Sequence, residues 1–269
     1  MMIKQDLHIH TNLSVCAPNT STLLSYIEYA KKIGLDSLGV SNHLWCEEQE
    51  IPYINSRQGY YVFSESYKKQ NFNNLSKLLE DEYYNCDKIK ILFGAEAEYN
   101  PKLKRPAIDK EKACMLDYLL VSNSHTHLIM DKSMYEPKEL HVKFMLDAFE
   151  NIIESKISEY ISAIAHPFAA VNCPYDNREL VKLITDRQFF DCFIEAKKKN
   201  IAIEINSKVF EGRDNMESDE MIRMFCIAKS AGCQFTIGSD AHKPETQKDL
   251  VKAEKVLKII DGNDDVLVI

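Results

Sequence analysis

The stretch DLHIHTNLSVC, residues 6–16, decides how the rest of the chain is read. It ends a short apolar strand in two histidines, His8 and His10, with Ile9 between them. Residues two apart on a strand point the same way. Both imidazoles can therefore face one ion, while Ile9 is expected to face a helix layer. The same pattern, a short apolar run closing on polar groups, recurs along the chain. SLGVS (37–41) leads to His43, and IKILFGAEA (89–97) leads to Glu96 and Glu98. YLLVS (118–122) leads to His125 and His127, and YISAIA (160–165) to His166. IAIEIN (201–206) follows, and QFTIGS (234–239) leads to Asp240 and His242.

Helical patterns separate these runs. Residues 22–33 form an amphipathic stretch with a Ser/Thr N-cap and Gly34 as its stop. Further helices are expected over 66–86, 137–155, 179–200, 218–231 and 246–260, and a small extra strand over 266–269. Seven β/α alternations with short links predict an α/β fold, a parallel sheet with helices outside. A distorted (β/α)7 barrel related to the TIM barrel is favoured over an open doubly wound sheet, because no Gly-rich phosphate loop follows the first strand. No linker, repeat or low-complexity tract divides the chain, so a single barrel domain over residues 1–269 is expected. Residues 46–67, the longest irregular stretch, are expected to form a lid or insertion over the site.

In barrel enzymes chemistry sits at the C-terminal ends of the strands. Of eight histidines, all but His141 follow a predicted strand end. A lone strand-end histidine is usually a hydrogen-bonded structural residue, but the joint pattern with Glu96 and Asp240 predicts a metal site. Imidazole and carboxylate donors suit zinc, manganese or iron rather than calcium. His127 and Glu98 each lie two residues beyond a better candidate, so each could instead orient it. His141 reads as a surface or packing residue.

Composition excludes other classes. The chain has 269 residues, 45% hydrophobic and 28% charged, with a net charge of −8 and pI ≈ 5.6. No basic block offers the footprint of a binder of long nucleic acids. No apolar run is long enough to span a membrane, and no secretory signal opens the chain. The eight cysteines are irregularly spaced and form no CxxC pair, so reduced, mostly buried thiols in a cytoplasmic protein are expected.

The ordered set DLHIHT, SNH, GAE, SNSH, AHPF and GSDAH, spanning Asp6 to His242, resembles the PHP (polymerase and histidinol phosphatase) family. The resemblance implies a distorted seven-stranded barrel holding two to three divalent ions (Zn, Fe or Mn). It implies one ion on His8, His10, Glu96 and Asp240. A second shares Glu96 and adds His125 and His166, and a third takes His43, His242 and the residue eight positions after the first histidine. That residue is usually histidine in the family and is Cys16 here. A thiolate is a good zinc ligand and would favour zinc or iron over manganese. The alternative is an inert cysteine beside two metals.

The family's histidinol phosphatases carry an arginine soon after an EIN motif. Here EIN (204–206) is followed first by Lys208 and then by Arg213, and either could hold a phosphate oxygen. The implied activity is hydrolysis of a small phosphate monoester, histidinol phosphate or a similar metabolite, by hydroxide generated on the metals. Glu96 would act as the bridging carboxylate. Asp240, His242 or His127 would help supply a proton to the leaving group. Alternatives are a phosphodiesterase or nuclease acting on nucleotides, or another metal-dependent hydrolase on the same barrel. Sequence is silent on oligomeric state.

Overall fold

The computed structural model describes residues 3–46, 69–85, 89–130, 132–170, 173–213 and 216–269. The strands are β1 (Gln5–Ile9), β2 (Ser37–Val40), β3 (His43–Leu44), β4 (Lys90–Asn100), β5 (Arg105–Pro106), β6 (Tyr118–Ser122), β7 (Ala163–Ala165), β8 (Ala202–Asn206) and β9 (Phe235–Gly238). Seven of them run parallel in the order β1-β2-β4-β6-β7-β8-β9. The sheet curls until its edges meet. Ile9 bridges Ala241, and the His10 N–H donates to the Ala241 carbonyl at 2.9 Å. The buried Asp6 carboxylate completes the seam, accepting from the Ser239 N–H (2.9 Å), the Ser239 hydroxyl (2.6 Å) and Gln247 Nε2 (3.0 Å). The result is the nearly closed, distorted parallel barrel with outer helices that the β/α alternation predicts.

Strand parity sorts the side chains. Leu119, Val121, Ile164, Ile203, Ile205, Phe235 and Ile237 face outward into the main core under the helices. Leu7, Leu92, Tyr118, Leu120, Ala163, Ala165 and Ala202 fill the barrel interior as an apolar floor. Polar residues of the same parity continue above it: Glu96 and Glu98 after Leu92 and Gly94 on β4, Ser122 on β6, Glu204 on β8. β1 breaks this regularity usefully. Asp6 pairs Leu38 while Ile9 pairs Val40, so β1 carries one extra residue against β2. Such a bulge re-aims side chains. Leu7 stays in the interior floor while Ile9, two residues on, joins the outer core, as the sequence predicts for Ile9.

Tyr118 is the largest interior side chain, and it needs glycine opposite. A Cβ on Gly94 would lie 2.1 Å from Tyr118 Cε1, and one on Gly39 2.5 Å from its hydroxyl oxygen. The Tyr118 hydroxyl donates to the Leu7 carbonyl at 2.9 Å, so the ring cannot swing away freely. Gly94→Ala is expected to lower stability by about 1–3 kcal/mol through overpacking, read as a reduced urea midpoint. An unchanged midpoint would show that the floor repacks.

Several element boundaries differ from the sequence reading. Helix 22–33 is Leu23–Ile33, with Thr22 accepting from the Ser25 N–H and Gly34 at φ 82. The long helix over 179–200 is two helices, Asn177–Leu183 and Asp186–Lys198. A capping box of Thr185 and Gln188 starts the second; T-x-x-Q opens a helix without any glycine or proline. The expected helix over 66–86 is, in its described part, one turn at Phe72–Leu75 and a 3-10 stretch at Ser76–Glu80. Only Leu75 and Leu78 of its leucines are buried, and Leu79 is exposed, so there is too little apolar face to hold a long helix. Residues 266–269 form an isolated bridge from Val266 to Phe235 rather than a strand. The thiols are also less buried than expected. Cys233 is buried, Cys114 and Cys226 are exposed, and Cys16, Cys46, Cys173 and Cys192 are intermediate. The expected lid over 46–67 lies, past Cys46, outside the described residues. Among the described residues no helix is long and apolar enough to cross a membrane.

Candidate metal centre

The upper ends of the strands converge on one cluster of donors. His8 comes from β1 and His10 from the residue just past it, His43 from β3, Glu96 and Glu98 from β4, His125 from the turn after β6, His166 from the turn after β7, and Asp240 and His242 from the turn after β9. Two of these turns hold strained backbone: His166 has φ 28 and Asp240 φ 53. Left-handed backbone is costly for residues with a Cβ and clusters at functional sites.

Glu96 is the centre of the arrangement. Its Oε1 lies 2.8 Å from His166 Nε2 and 3.5 Å from His125 Nε2. Its Oε2 lies 2.9 Å from His43 Nδ1, 3.4 Å from His8 Nε2 and 3.7 Å from His10 Nε2. The carboxylate is 1% exposed, yet Oε2 has no partner in hydrogen-bond geometry, and neither has His10 Nδ1. Buried polar atoms normally find one.

The imidazoles are aimed from behind. His8 Nδ1 donates to Glu204 Oε1 at 2.7 Å. His125 Nδ1 donates to Glu98 Oε2 at 2.9 Å. The Ser124 hydroxyl donates to the His166 carbonyl (3.0 Å) and accepts from His166 Nδ1 (2.7 Å). His242 Nδ1 faces the Asp240 carbonyl at 2.9 Å. With Nδ1 holding the proton, each neutral ring presents a bare Nε2. For His166 that lone pair meets a carboxylate oxygen at 2.8 Å, and for His8 it meets His10 Nε2 at 3.1 Å. Lone pairs facing one another in a dry interior call for a cation between them, a ring proton or a metal ion. The donor set therefore fits divalent metal ions, and the rear hydrogen bonds are those that fix the tautomer of a metal-binding histidine.

Among the described residues, five groupings bring their donor atoms within 4.8 Å of one another: His8, His10 and Glu96; His8, His166 and Asp240; Glu96, His125 and His166; His43, Glu98 and His125; and His10, Cys16, His43 and His242. Every residue the sequence nominates as a ligand is brought together here, Cys16 included. Asp240 joins His8 through His166 rather than through Glu96, and His10 stands in the Cys16 grouping as well as beside His8. Glu98 touches both His125 and, at 3.3 Å, His43.

Electrostatics follow from this packing. Burial alone would depress His8, but the charges of Glu204, Glu96 and Asp240 hold it well above its ordinary value. Burial would raise Glu96, and the surrounding His125, His43 and His8 bring it well below the carboxylate range. Burial would likewise raise the Cys16 thiol, but His10 and His43 pull it well below 9.0. His127 is pushed down to about 3 by burial and the charge of His125, so it is neutral at working pH.

The two nominated cations part company. Lys208 Nζ lies 3.5 Å from Asp240 Oδ2 and 3.3 Å from His242 Nδ1, on the open side of the cluster. Arg213 is occupied. It donates to both Asp219 oxygens (2.8 and 2.7 Å) and to Asn177 Oδ1 (2.9 Å), and its side chain is 10% exposed. Breaking a buried pair leaves an uncompensated charge. Arg213→Ala is thus expected to cost about 3 kcal/mol of stability with little change in KM, whereas Lys208→Ala raises KM with stability nearly intact. The reverse pattern would return the anion role to Arg213.

His141 is a packing residue, fully buried, with Nδ1 on the Tyr175 hydroxyl (2.7 Å) and Nε2 on the Thr126 hydroxyl (2.8 Å). The sequence reading misses Glu204 and Ser124 as orienting groups. A carboxylate in the inward register of IAIEIN was a usable signal; Ser124 offered none.

A parallel β/α barrel with imidazoles and carboxylates massed at its C-terminal strand ends defines the class: a barrel protein with a candidate metal-binding donor set. The chain belongs to the PHP domain family, whose family model matches residues 6–208. It is similar to a probable phosphatase of Clostridium novyi (24% identical over 263 residues, 96% of this chain and 88% of the relative). It is also similar to a probable phosphatase of Vibrio parahaemolyticus (25% over 267 residues, 98% and 86%). The structure of histidinol phosphate phosphatase from Lactococcus lactis, complexed with zinc, L-histidinol and phosphate, matches with TM-score 0.62 at 18% identity, covering 96% of this chain and 93% of that one. The putative histidinol phosphatase of Listeria monocytogenes matches with TM-score 0.68 at 14% identity, covering 90% and 97%. At these identities the two structures speak for the fold.

Proposed function

We propose that this PHP-domain protein is a metal-dependent phosphatase hydrolysing a small phosphate monoester, histidinol phosphate or a similar metabolite, as a single cytoplasmic barrel domain over residues 1–269. The observation that carries the reading is Glu96, a buried carboxylate with imidazole nitrogens on both oxygens. The phosphatase names of the relatives support it.

Two to three divalent ions (Zn, Fe or Mn) would be held by His8, His10, Glu96 and Asp240, by Glu96, His125 and His166, and by His43, His242 and Cys16. When bound, they supply Lewis-acid polarisation of the phosphoryl oxygens and acidify water near neutral pH. The chain's own residues do the rest. The side chains of Asp240 and His242 are 12% and 24% exposed and that of Lys208 is 44%, against 0% for His8 and His10. Substrate therefore approaches from the Lys208 side. Lys208 acts as a point charge on the phosphoryl group. His242, anchored through Nδ1 on the Asp240 carbonyl, keeps Nε2 free to serve as a ligand of the third ion. Asp240 keeps Lys208 and His242 together. Neutral His127 supports His125 at the rear of the substrate space.

The test is a panel of phosphomonoesters, histidinol phosphate and a chromogenic phosphate among them, assayed with and without chelator alongside elemental analysis. Metal-dependent turnover of a monoester is expected. Activity confined to a diester or an amide, or protein purified without any Zn, Fe or Mn, would overturn the reading.

A further inference from the structure

His141 packs in the helix Lys138–Ile153, outside the donor groupings, and each of its ring nitrogens meets a hydroxyl. Nδ1 lies 2.7 Å from the Tyr175 hydroxyl and Nε2 2.8 Å from that of Thr126. The direction of both bonds follows from the count of protons. The Tyr175 hydroxyl has one proton and donates it to the Tyr135 carbonyl at 2.9 Å, so toward His141 it accepts. The ring proton is therefore on Nδ1, and bare Nε2 accepts from Thr126. The neighbouring Cys173 thiol stays protonated, its pKa raised by burial, and takes no proton from Tyr175. We propose that His141 is a positioning residue for the site: as an Nδ1–H imidazole it fixes Thr126, and through Thr126 the His125 and His127 side chains that flank it in sequence. This deepens the metal-dependent reading above and rests on it.

Three features of the fold support this role. First, the turn that carries the two histidines needs support. Thr126–Ile129 is a single helical turn, too short to hold itself in water. Glu98 secures the His125 ring at Nδ1 (2.9 Å), and His141 secures the chain one residue further on. Second, the His141 ring is itself fixed. Tyr135 stacks on its face at 4.9 Å and 9°, and Tyr175 meets it edge-on at 5.9 Å and 62°. Burial pushes its pKa down to about 4, so at working pH the ring is neutral and Nε2 can accept. Third, its partners come from separate connections. Tyr135 follows β6, and Tyr175 lies between β7 and the helix Asn177–Leu183, in the connection that also carries His166. Ser124, next to His125, already holds His166 Nδ1 (2.7 Å). The chain from Thr126 through His141 to Tyr175 is a second link between the same two connections.

The consequence is selective. A buried hydroxyl left without its partner costs the full desolvation of that group, so a turn that loses His141 shifts to relieve it. The shift moves His125, a donor, and His127 together, while the apolar core under the helices keeps its packing.

The test uses full-length protein and reads zinc affinity by competition with a chromogenic chelator. His141→Phe keeps a ring against Tyr135 and offers neither bond. It should bind zinc about 10-fold more weakly, the lower end of what losing an orienting group costs, because His141 acts through Thr126. Thr126→Val, a milder change, should match it, and the double variant should lose no more than either single one. His141→Gln should recover most of the affinity, since its amide offers Thr126 an acceptor and Tyr175 a donor. In metal-free wild type with isotope-labelled histidine, nitrogen NMR near neutral pH should show His141 as a neutral ring with its proton on Nδ1. Unchanged zinc affinity in both His141→Phe and Thr126→Val, additive losses in the double variant, no recovery in His141→Gln, or a ring proton on Nε2 would overturn the inference. Wild type that binds zinc and hydrolyses no monoester would end the phosphatase reading, while zinc affinity and tautomer would still decide this one. Wild type that binds no zinc would end both.

Discussion

Glu96→Ala is expected to strip the centre of metal and lower phosphatase turnover by about 1,000-fold or more. Among the described residues of the cluster, Glu96 alone has two oxygens that face five imidazoles from four segments: His8, His10, His43, His125 and His166. Its removal leaves the groupings that contain it one donor short and withdraws the negative charge that offsets the ions. Lewis-acid stabilisation of phosphoryl transfer is worth several kcal/mol, and each 1.4 kcal/mol is about tenfold in rate, which sets the scale. Glu96→Gln separates charge from shape. The amide fills the same space and keeps one acceptor oxygen, so the fold should survive while metal content falls. Elemental analysis and turnover should drop together in both variants, with far-ultraviolet circular dichroism unchanged in Glu96→Gln. A variant that kept its metal and lost activity would make Glu96 a group acting on substrate instead of a bridge. One that kept both would remove it from the centre.

Much of this centre was legible in the sequence because a parallel barrel converts a one-dimensional feature into a three-dimensional one. Each apolar run ends at the same face, so a polar residue just past the run lands in the site whatever the details of the helices between. Strand parity then told His8 and His10 from Ile9, and Glu96 and Glu98 from Ala95 and Ala97. What parity could not show is the bulge in β1. Without it, His8 and Leu7 could not both point inward, and nothing in DLHIH announces an extra residue. Helix boundaries were less legible for a different reason. Residues 179–200 keep an unbroken helical period, and the break at Thr185 comes from a capping box that competes locally with continuation. The roles of Lys208 and Arg213 were not separable in sequence either, because the partner that occupies Arg213, Asp219, acts through a folded contact while Lys208 stays beside Asp240.

The residue that sequence reading passed over, Glu204, makes the second large prediction. Its Oε1 accepts from His8 Nδ1 at 2.7 Å and its Oε2 from the His166 N–H at 2.7 Å, and Asn206 Nδ2 stands 3.2 Å from Oε2. One carboxylate thus sets the tautomer of His8 and the backbone position of His166, two donors from different segments, while standing outside the donor groupings itself. The surroundings are built to fit it: a Cβ on Gly238 would lie 2.3 Å from Glu204 Oε1 and 2.4 Å from His8 Cβ, so only glycine lets β9 pass this pair. Glu204→Gln keeps the size but can direct an N–H at His8 Nδ1, which would then have to accept, and the proton would move to the Nε2 that faces the ions. Metal affinity is expected to fall by about 10- to 100-fold, the usual consequence of losing such an orienting partner. Turnover measured at fixed low metal should fall with it. Excess metal should restore part of the activity in Glu204→Gln and none in Glu96→Ala, since the first variant weakens ligands and the second removes one. Gly238→Ala should resemble Glu204→Gln, because the added methyl displaces the same pair, and a 1 Å misplacement at a reacting centre can cost about 100-fold in rate. Glu204→Gln with wild-type metal affinity and no change in its metal requirement would show that His8 is held in place by the ions alone.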